Sequence, residues 1–251
     1  MGRRGVWALR GLSVLAILLA WELYGRNTNP ILFTYPTAVA RAAVEMTLDG
    51  TLLKALGQSI TVLAAGLALG TIAGVAFGLL TGRSAVAAAL LDLPVNALYA
   101  TPMVALIPVL VLWFGFGTTA RIVIVTLFVV FPVLINTTRG VREVDPRLVE
   151  VARTFRSSER RLWLDLVLPS ALPFIVTGIR LGIGRGLIGV IVAEFYTALA
   201  GLGFLVVSNA NSFQTSRTFV PIVVLMILGV TLTYLLEWLE GRIAPWRSAT
   251  S

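Results

Sequence analysis

The chain has 251 residues, of which 57% are hydrophobic and 13% are charged, with a mean hydropathy of +0.91. A soluble globular domain is about 25% charged, so we predict an integral membrane protein. The net charge of +8 does not indicate nucleic-acid binding, because the basic residues lie in short segments between apolar stretches, where they set the membrane topology. Cysteine and histidine are absent, which excludes a thiolate metal site and removes the usual general base.

Six membrane-spanning helices are predicted, because a bilayer core needs about 20 apolar residues as a helix and the apolar stretches are too long and unpatterned for barrel strands. The first span follows Arg3 and Arg4. A signal peptide is the competing interpretation, but no small-residue cleavage pattern accompanies Trp21, Glu22 and Tyr24. In chain order, the predicted spans are residues 6–24, 60–80, a third within 85–116, then 122–138, 172–199 and 219–236.

Prolines and one amphipathic segment modify this pattern. Pro94, Pro102 and Pro108 are predicted to break the third span, and Pro132 lies inside the fourth. The segment 26–57, between the first two spans, is predicted to be extracytoplasmic, and its apolar residues at helical spacing predict an interfacial helix. These residues are Val39, Ala42, Ala43 and Met46.

The basic residues divide unevenly between the two sides of the membrane. When sides alternate from the N-terminus, 13 of the 20 fall on one side and five on the other, while Arg180 and Arg185 lie within a span. Seven of the 13 are arginines of the segment 139–161. By the positive-inside rule, both termini and this segment are predicted to be cytoplasmic.

Glycines recur at every fourth position of two predicted spans. Such spacing lets transmembrane backbones approach closely, although glycine is also generally abundant in membrane helices. We therefore predict close helix packing at Gly66, Gly70, Gly74, Gly78 and Gly82 of the second span, and at Gly178, Gly182 and Gly186 of the fifth.

The segment that follows residue 143 predicts two short helices. Asp145 and Pro146 are suited to begin the first, and Ser157 or Ser158 the second, which is predicted to end at Pro169. The first has an apolar stripe, formed by Leu148, Val151, Ala152 and Phe155. On physical grounds, this stripe fits a lipid surface and a protein partner equally well.

Residues 150–169 resemble the cytoplasmic EAA coupling loop of ATP-binding-cassette (ABC) importer permeases. The loop pattern is a Glu-Ala-Ala triplet, a glycine and an aliphatic-x-Leu-Pro end. The triplet corresponds here to Glu150, Val151 and Ala152, and the end to Val167, Leu168 and Pro169. Three further stretches, 106–117, 131–148 and 178–195, are similar to permeases of the nitrate/sulfonate/taurine group, and the likeness extends over roughly residues 30–245.

One position departs from the family in a way that matters. Arg156 stands where related permeases have glycine. If that glycine supplies a positive φ at the turn between the two helices, arginine is strained there by roughly 1 kcal/mol. The alternatives are that the turn differs or that the register shifts by one residue.

The resemblance implies an all-α type I ABC importer permease in the inner membrane, with six transmembrane helices and a cytoplasmic coupling helix in the loop 143–168. The partners it implies are a second permease copy in a homodimer, a cytoplasmic ATPase dimer, an extracytoplasmic solute-binding protein and the surrounding lipid. No cofactor or metal is expected on this chain. ATP and Mg belong to the ATPase, because the sole lysine, Lys54, lies in TLLKAL rather than in a phosphate-binding loop.

The resemblance assigns the ATPase contact to the start of the loop, with Phe155 as the anchor, since aromatic residues in pockets dominate interfaces. The contact residues are Glu150, Val151, Ala152, Phe155 and Arg156. Packing of Phe155 onto its own chain is the alternative. The expected solute is small and anionic, such as nitrate, a sulfonate or taurine, or else a vitamin precursor.

Charged residues inside the spans are pathway candidates by default, which selects Arg185, Glu194 and Asp92. Arg185 and Glu194 are nine residues apart, so they are predicted to face opposite sides of one helix. Arg180 is expected to snorkel or to form a structural ion pair. The alternative class is an ATP-independent secondary transporter or channel, for which an inverted repeat would be typical. An intramembrane enzyme is not expected, because the chain contains neither histidine nor cysteine.

Overall fold

The computed structural model of the chain describes residues 3–197 and 199–243, and the regular secondary structure of this part is entirely helical, as predicted. A π-helical turn, Leu162–Val167, joins the eighth and ninth helices. The α-helices are, in chain order, α1 (Arg3–Arg26), α2 (Pro36–Leu48), α3 (Thr51–Arg83), α4 (Ala85–Ala100), α5 (Met103–Phe114), α6 (Thr118–Arg142), α7 (Pro146–Thr154), α8 (Glu159–Arg161), α9 (Leu168–Thr197), α10 (Leu202–Asn211) and α11 (Thr215–Ile243).

Four helical stretches of the described chain are long and apolar enough to cross a membrane. A fifth is counted if α4 and α5 form one bent span. α1 is not among these candidate spans. Its uncharged stretch between Arg10 and Glu22 comprises only residues 11–21. The total of six spans therefore stays a prediction. The four stretches are Thr51–Arg83, Thr118–Arg142, Glu159–Thr197 and Thr215–Arg242.

The predicted third span is bent at one proline rather than at three. α4 and α5 meet at an angle of 99°, and the first of the two residues between them, Thr101, has φ −69° and ψ 132°. This extended conformation is the one that a following proline, here Pro102, imposes. Pro94 and Pro108 lie inside α4 and α5, so the prediction that they break the span is wrong.

Pro169 does not end the second loop helix, contrary to the prediction. α8, the π-helical turn and α9 form one continuous stretch, Glu159–Thr197, of 39 residues. Pro169 follows the π-helical turn, in which the N–H of Leu168 donates to the carbonyl of Trp163, five residues earlier. A proline ring clashes with the carbonyl four residues before it in a regular α-helix, and the wider turn relieves this clash.

The chain divides into two compact units. The first unit comprises Met1–Ser59 with Ala200–Met226, and the second unit comprises Ile60–Leu199 with Ile227–Ser251. In the first unit, α2 buries three of the four apolar residues of the predicted stripe, namely Val39, Ala42 and Met46. The indole N–H of Trp21 donates to the carbonyl of Thr34 at 2.8 Å, which fixes the end of α1 to the segment before α2.

In the second unit, α6 lies between two glycine stripes. A Cβ built on Gly74 would lie 2.7 Å from the Cβ of Val133, and one on Gly70 would lie 2.7 Å from the Cβ of Val129. On the α9 side, a Cβ on Gly182 would lie 3.2 Å from Val129. Glycine therefore lets all three backbones approach closely. The other glycines of the α3 stripe, Gly66, Gly78 and Gly82, meet Val125, Thr137 and Val141 in the same way, while Gly178 and Gly186 of α9 meet Val133 and Val129.

Candidate functional site

The segment after residue 143 begins two helices, as its sequence predicts, but only the first, α7, is short, since the second, α8, continues into α9. Asp145 caps α7 by accepting a hydrogen bond of 2.9 Å from the backbone N–H of Arg147, and Pro146 takes the first helical position. Ser158 caps α8 by accepting a hydrogen bond of 3.4 Å from the N–H of Arg161. A short turn joins the two helices.

This turn is built around Arg156, whose φ is +52°. The N–H of Arg156 donates to the carbonyl of Arg153 at 2.9 Å, and the N–H of Ser157 donates to the carbonyl of Ala152 at 3.0 Å. This pair of hydrogen bonds is a Schellman motif, in which glycine usually takes the left-handed position. An arginine at this φ costs roughly 1 kcal/mol relative to glycine.

Arg156→Gly is expected to stabilise the protein by about 1 kcal/mol, because glycine adopts this φ without steric conflict. The melting temperature of the purified protein in detergent measures the gain. Arg156→Ala is the matched control: it removes the same charge but keeps a Cβ in the left-handed conformation, so no such gain is expected. An equal rise of the melting temperature in both variants would show that loss of the charge causes the gain, and would contradict backbone strain at Arg156.

One face of α7 presents apolar side chains to solvent. Phe155, which follows α7 directly, is 80% exposed, Val151 is 52% exposed and Leu148 is 50% exposed. Little of Phe155 is therefore packed onto its own chain. Ala152 is half-buried and packs against an apolar cluster beneath α7, whose buried members are Val141, Val144, Leu162, Val167, Ala171 and Ile175.

Glu150 lies apart from this apolar face, at a cavity of about 690 Å³ beside α7. Charged residues of both signs line the cavity together with apolar ones; the charged ones are Arg83, Glu150, Arg153 and Glu159. The guanidinium of Arg83 lies 5.2 Å from the ring centroid of Trp163. This cation–π contact ties the end of α3 to the π-helical turn.

The three predicted pathway residues lie in different surroundings. Asp92 of α4 forms an ion pair of 3.3 Å with Arg142 at the end of α6. Arg185 is exposed on α9, and its guanidinium lies 5.8 Å from the ring centroid of Tyr99. Glu194 is fully buried. The contrast in exposure between Arg185 and Glu194 agrees with the prediction that they face opposite sides of α9.

Arg180 forms an ion pair, which was one of its two predicted roles. Its guanidinium lies 3.5 Å from Glu237 and 3.3 Å from Glu240, both on α11. Sequence reasoning did not find Arg142 or Tyr99 as partners, because which residues meet across helices depends on packing. Within the described residues, no group of three or more His, Cys, Asp or Glu side chains could hold a metal ion.

These features define a multi-pass membrane protein: apolar helices, charged residues within them, and an exposed helical loop. The chain belongs to the family of binding-protein-dependent transport system inner membrane components, which matches residues 66–245. It is an ABC importer permease of the nitrate/sulfonate/taurine group. Family membership implies an ATPase and a solute-binding protein as partners, and a location in the inner membrane.

Two relatives illustrate the similarity. The SsuC permease protein of Bacillus subtilis (strain 168), whose name assigns it to aliphatic sulfonate transport, is 32% identical over 99% of this chain and 91% of its own length. The taurine transport system permease protein TauC of Escherichia coli (strain K12) is 32% identical over 79% of this chain and 72% of its own length. Both are named as permease proteins.

A solved structure shares the fold. A chain from the crystal structure of an amino acid ABC transporter superposes with a TM-score of 0.62, covering 80% of this chain and 97% of that chain. The two sequences are only 16% identical, so this likeness concerns the fold alone.

Proposed function

We propose that the chain forms the membrane pathway of an ABC importer for a small anionic solute of the sulfonate or taurine type, driven by a separate ATPase that binds α7. The observation that carries the proposal is the exposed apolar face of α7, formed by Leu148, Val151 and the adjoining Phe155. The solute class is supported by the names of the two relatives, which refer to aliphatic sulfonates and taurine.

The exposed face of α7 has the properties of a protein contact. Burying a valine, leucine or phenylalanine side chain contributes about 1.5–3 kcal/mol, and an aromatic residue in a pocket contributes most to an interface. In the proposed complex, Phe155 enters a groove of the ATPase. Of the other predicted contact residues, Val151 shares the exposed face with Phe155 and Arg156 follows it directly, whereas Glu150 lies at the cavity beside α7 and Ala152 is half-buried.

Movement of α7 would reach the membrane through a short, well-packed connection. The Schellman turn at Arg156 leads into Glu159–Thr197, a single helical stretch. Ala152 packs on the cluster beneath α7, and the Arg83–Trp163 contact joins the same region to α3. Because closely packed elements transmit displacement rather than absorb it, a shift of α7 would tilt α9 and α3.

The proposed orientation places both termini and α7 in the cytoplasm. It follows the uneven distribution of basic residues, 13 against five, and it requires an even number of spans. α1 supplies the sixth span if α4 and α5 together form the third.

The exposed position of Arg185 supports the proposal that two copies of the permease form a homodimer. A charged side chain deep within a span is costly against lipid, and Arg185 is exposed on α9. The face that carries it would therefore border a water-filled pathway or a second copy. A cation beside such a pathway attracts an anionic solute.

Arg185→Ala is expected to reduce uptake of taurine and ethanesulfonate about tenfold, the effect of roughly 1.4 kcal/mol of lost attraction. Uptake is measured in proteoliposomes at equal amounts of inserted protein. Arg185→Lys keeps the charge and is expected to retain most of the uptake. Arg180→Ala is the matched control in the same helix, because Arg180 is paired with Glu237 and Glu240. Equal losses in Arg180→Ala and Arg185→Ala would contradict a specific role for Arg185.

The proposed function as a whole is tested by reconstituting the permease with its ATPase and its solute-binding protein in liposomes. We expect uptake of labelled taurine or ethanesulfonate that requires both ATP and the binding protein. Uptake that continues without ATP would instead identify a secondary transporter or channel.

A further inference from the structure

Phe213 is strained and exposed at the same time. It follows the end of α10 with a φ of +55° and is 72% exposed. Its N–H donates to the carbonyl of Ala210 at 3.0 Å, and the N–H of Gln214 donates to the carbonyl of Asn209 at 2.9 Å. This is the same Schellman motif as at Arg156, a position at which glycine or asparagine is favoured and a bulky residue is a genuine outlier.

Phe213 borders a groove of about 550 Å³ in the first unit. The groove contains Arg41, Glu45 and Arg217, and Glu45 pairs with Arg217 at 3.3 Å. Among the residues that the structure describes, no acidic side chain lies within ion-pairing distance of Arg41. The groove therefore carries an excess positive charge next to an exposed aromatic ring.

We propose that Phe213 and Arg41 form a docking point for the solute-binding protein, which presents a carboxylate to Arg41 and an apolar pocket to Phe213. The proposal rests on the proposed function, whose orientation places this groove on the extracytoplasmic side. Dependence on a binding protein is part of the family description. Residues held in strained conformations cluster at functional sites, and aromatic and arginine side chains are enriched among interface hot spots.

The lining of the groove favours a protein partner over lipid. Six of its ten lining residues are polar or charged: Arg41, Glu45, Gln214, Thr215, Ser216 and Arg217. Thr215 and Ser216 already bond to Ile31 and Thr34, and Glu45 pairs with Arg217, so the guanidinium of Arg41 is the group that an external partner would satisfy. Acyl chains cannot do so, whereas a protein surface with an exposed carboxylate can. The charge of Arg41 then favours the acidic partner that this proposal specifies.

Phe213→Gly tests the proposal without endangering the fold, because it removes the aromatic ring and the backbone strain together. In the reconstituted full transporter, we expect uptake that depends on the binding protein to fall about tenfold or more, with the ATPase rate in the absence of binding protein unchanged. Phe213→Tyr keeps the ring and is expected to retain uptake. Arg41→Glu is expected to reduce uptake, and Arg41→Lys to retain it.

Uptake by Phe213→Gly at the level of the unchanged protein would overturn the proposal. If the unchanged protein shows no ATP-driven uptake at all, it is the proposed function that fails, so the two failures are distinguishable.

Photo-cross-linking identifies what covers the groove. Since the chain contains no cysteine, Phe213→Cys introduces a unique thiol for a benzophenone label. We expect the label to capture the purified solute-binding protein in liposomes that contain the full transporter. Leu48→Cys is the control, because Leu48 is 83% exposed in the same unit but does not line the groove. Capture of lipid alone, or equal capture at both positions, would overturn the proposal.

Discussion

Replacing Gly74 by leucine is expected to prevent the permease from accumulating in folded form. A Cβ at this position would lie 2.7 Å from the Cβ of Val133 and 2.8 Å from the carbonyl oxygen of Val130. A backbone oxygen cannot rotate away, so α3 and α6 would have to separate. Overpacking costs about 1–3 kcal/mol and occasionally more, and leucine extends well beyond Cβ, so we expect the upper end or higher. The amount of permease that elutes as a single species after detergent extraction measures the loss.

Gly57→Ala is the matched control in the same helix, because no atom lies within 4 Å of its added Cβ. This change is expected to be neutral or to stabilise the protein by about 0.5–1 kcal/mol, since alanine is the better helix former. Combining Gly74→Ala with Val133→Gly should recover part of the loss caused by Gly74→Ala alone, because it removes the Cβ that clashes. Normal accumulation of Gly74→Leu would show that α3 and α6 are not in close contact here.

The glycine spacing predicts that α3 packs closely, but it does not say which helix α3 meets. The structure gives α6, which has β-branched residues at the same four-residue spacing. Matching the two stripes would have suggested the pair from sequence. The members on α6 are Val125, Val129, Val133, Thr137 and Val141.

Local sequence does not predict which of the prolines break a helix. Pro102 breaks its span, whereas Pro94 and Pro108 lie within continuous helices, although all three remove a backbone donor. Membrane helices tolerate proline when neighbouring groups or a local π-helical adjustment compensate for the lost hydrogen bond, and a π-helical turn directly precedes the helix that contains Pro169. That compensation depends on packing, which is not visible in local sequence.

The two strained turns differ in how far they could be foreseen. The strain at Arg156 was predicted conditionally, because related permeases have glycine at that position, and its φ of +52° meets the condition. Nothing in the sequence around Phe213 predicts its φ of +55°, since neither glycine nor asparagine stands there. The turn lies in the three residues between α10 and α11, and its conformation depends on how these two helices meet, which is not visible in local sequence.

Phe155→Asp is expected to abolish ATP-driven uptake while the permease still inserts in the membrane. The free protein loses little, because Phe155 is 80% exposed and contributes little to its own fold. In the proposed complex, however, the change removes the apolar anchor and places a charge in a groove that excludes water, which costs about 2 kcal/mol or more. Co-purification of the ATPase with the permease from membranes measures the contact, and uptake in proteoliposomes measures its consequence.

Phe155→Leu is the matched control, since it preserves an apolar side chain and is expected to keep most of the uptake. Glu150→Lys is expected to abolish uptake as well, because it reverses the charge at the first position of the predicted contact. Phe155→Asp also weakens any affinity of α7 for lipid, so the ATPase contact needs a readout of its own. A label on Phe155→Cys, a unique thiol in this cysteine-free chain, supplies it. A label that captures only lipid in the assembled transporter, together with unchanged uptake in both charge variants, would show that α7 lies on the bilayer and that the ATPase binds elsewhere.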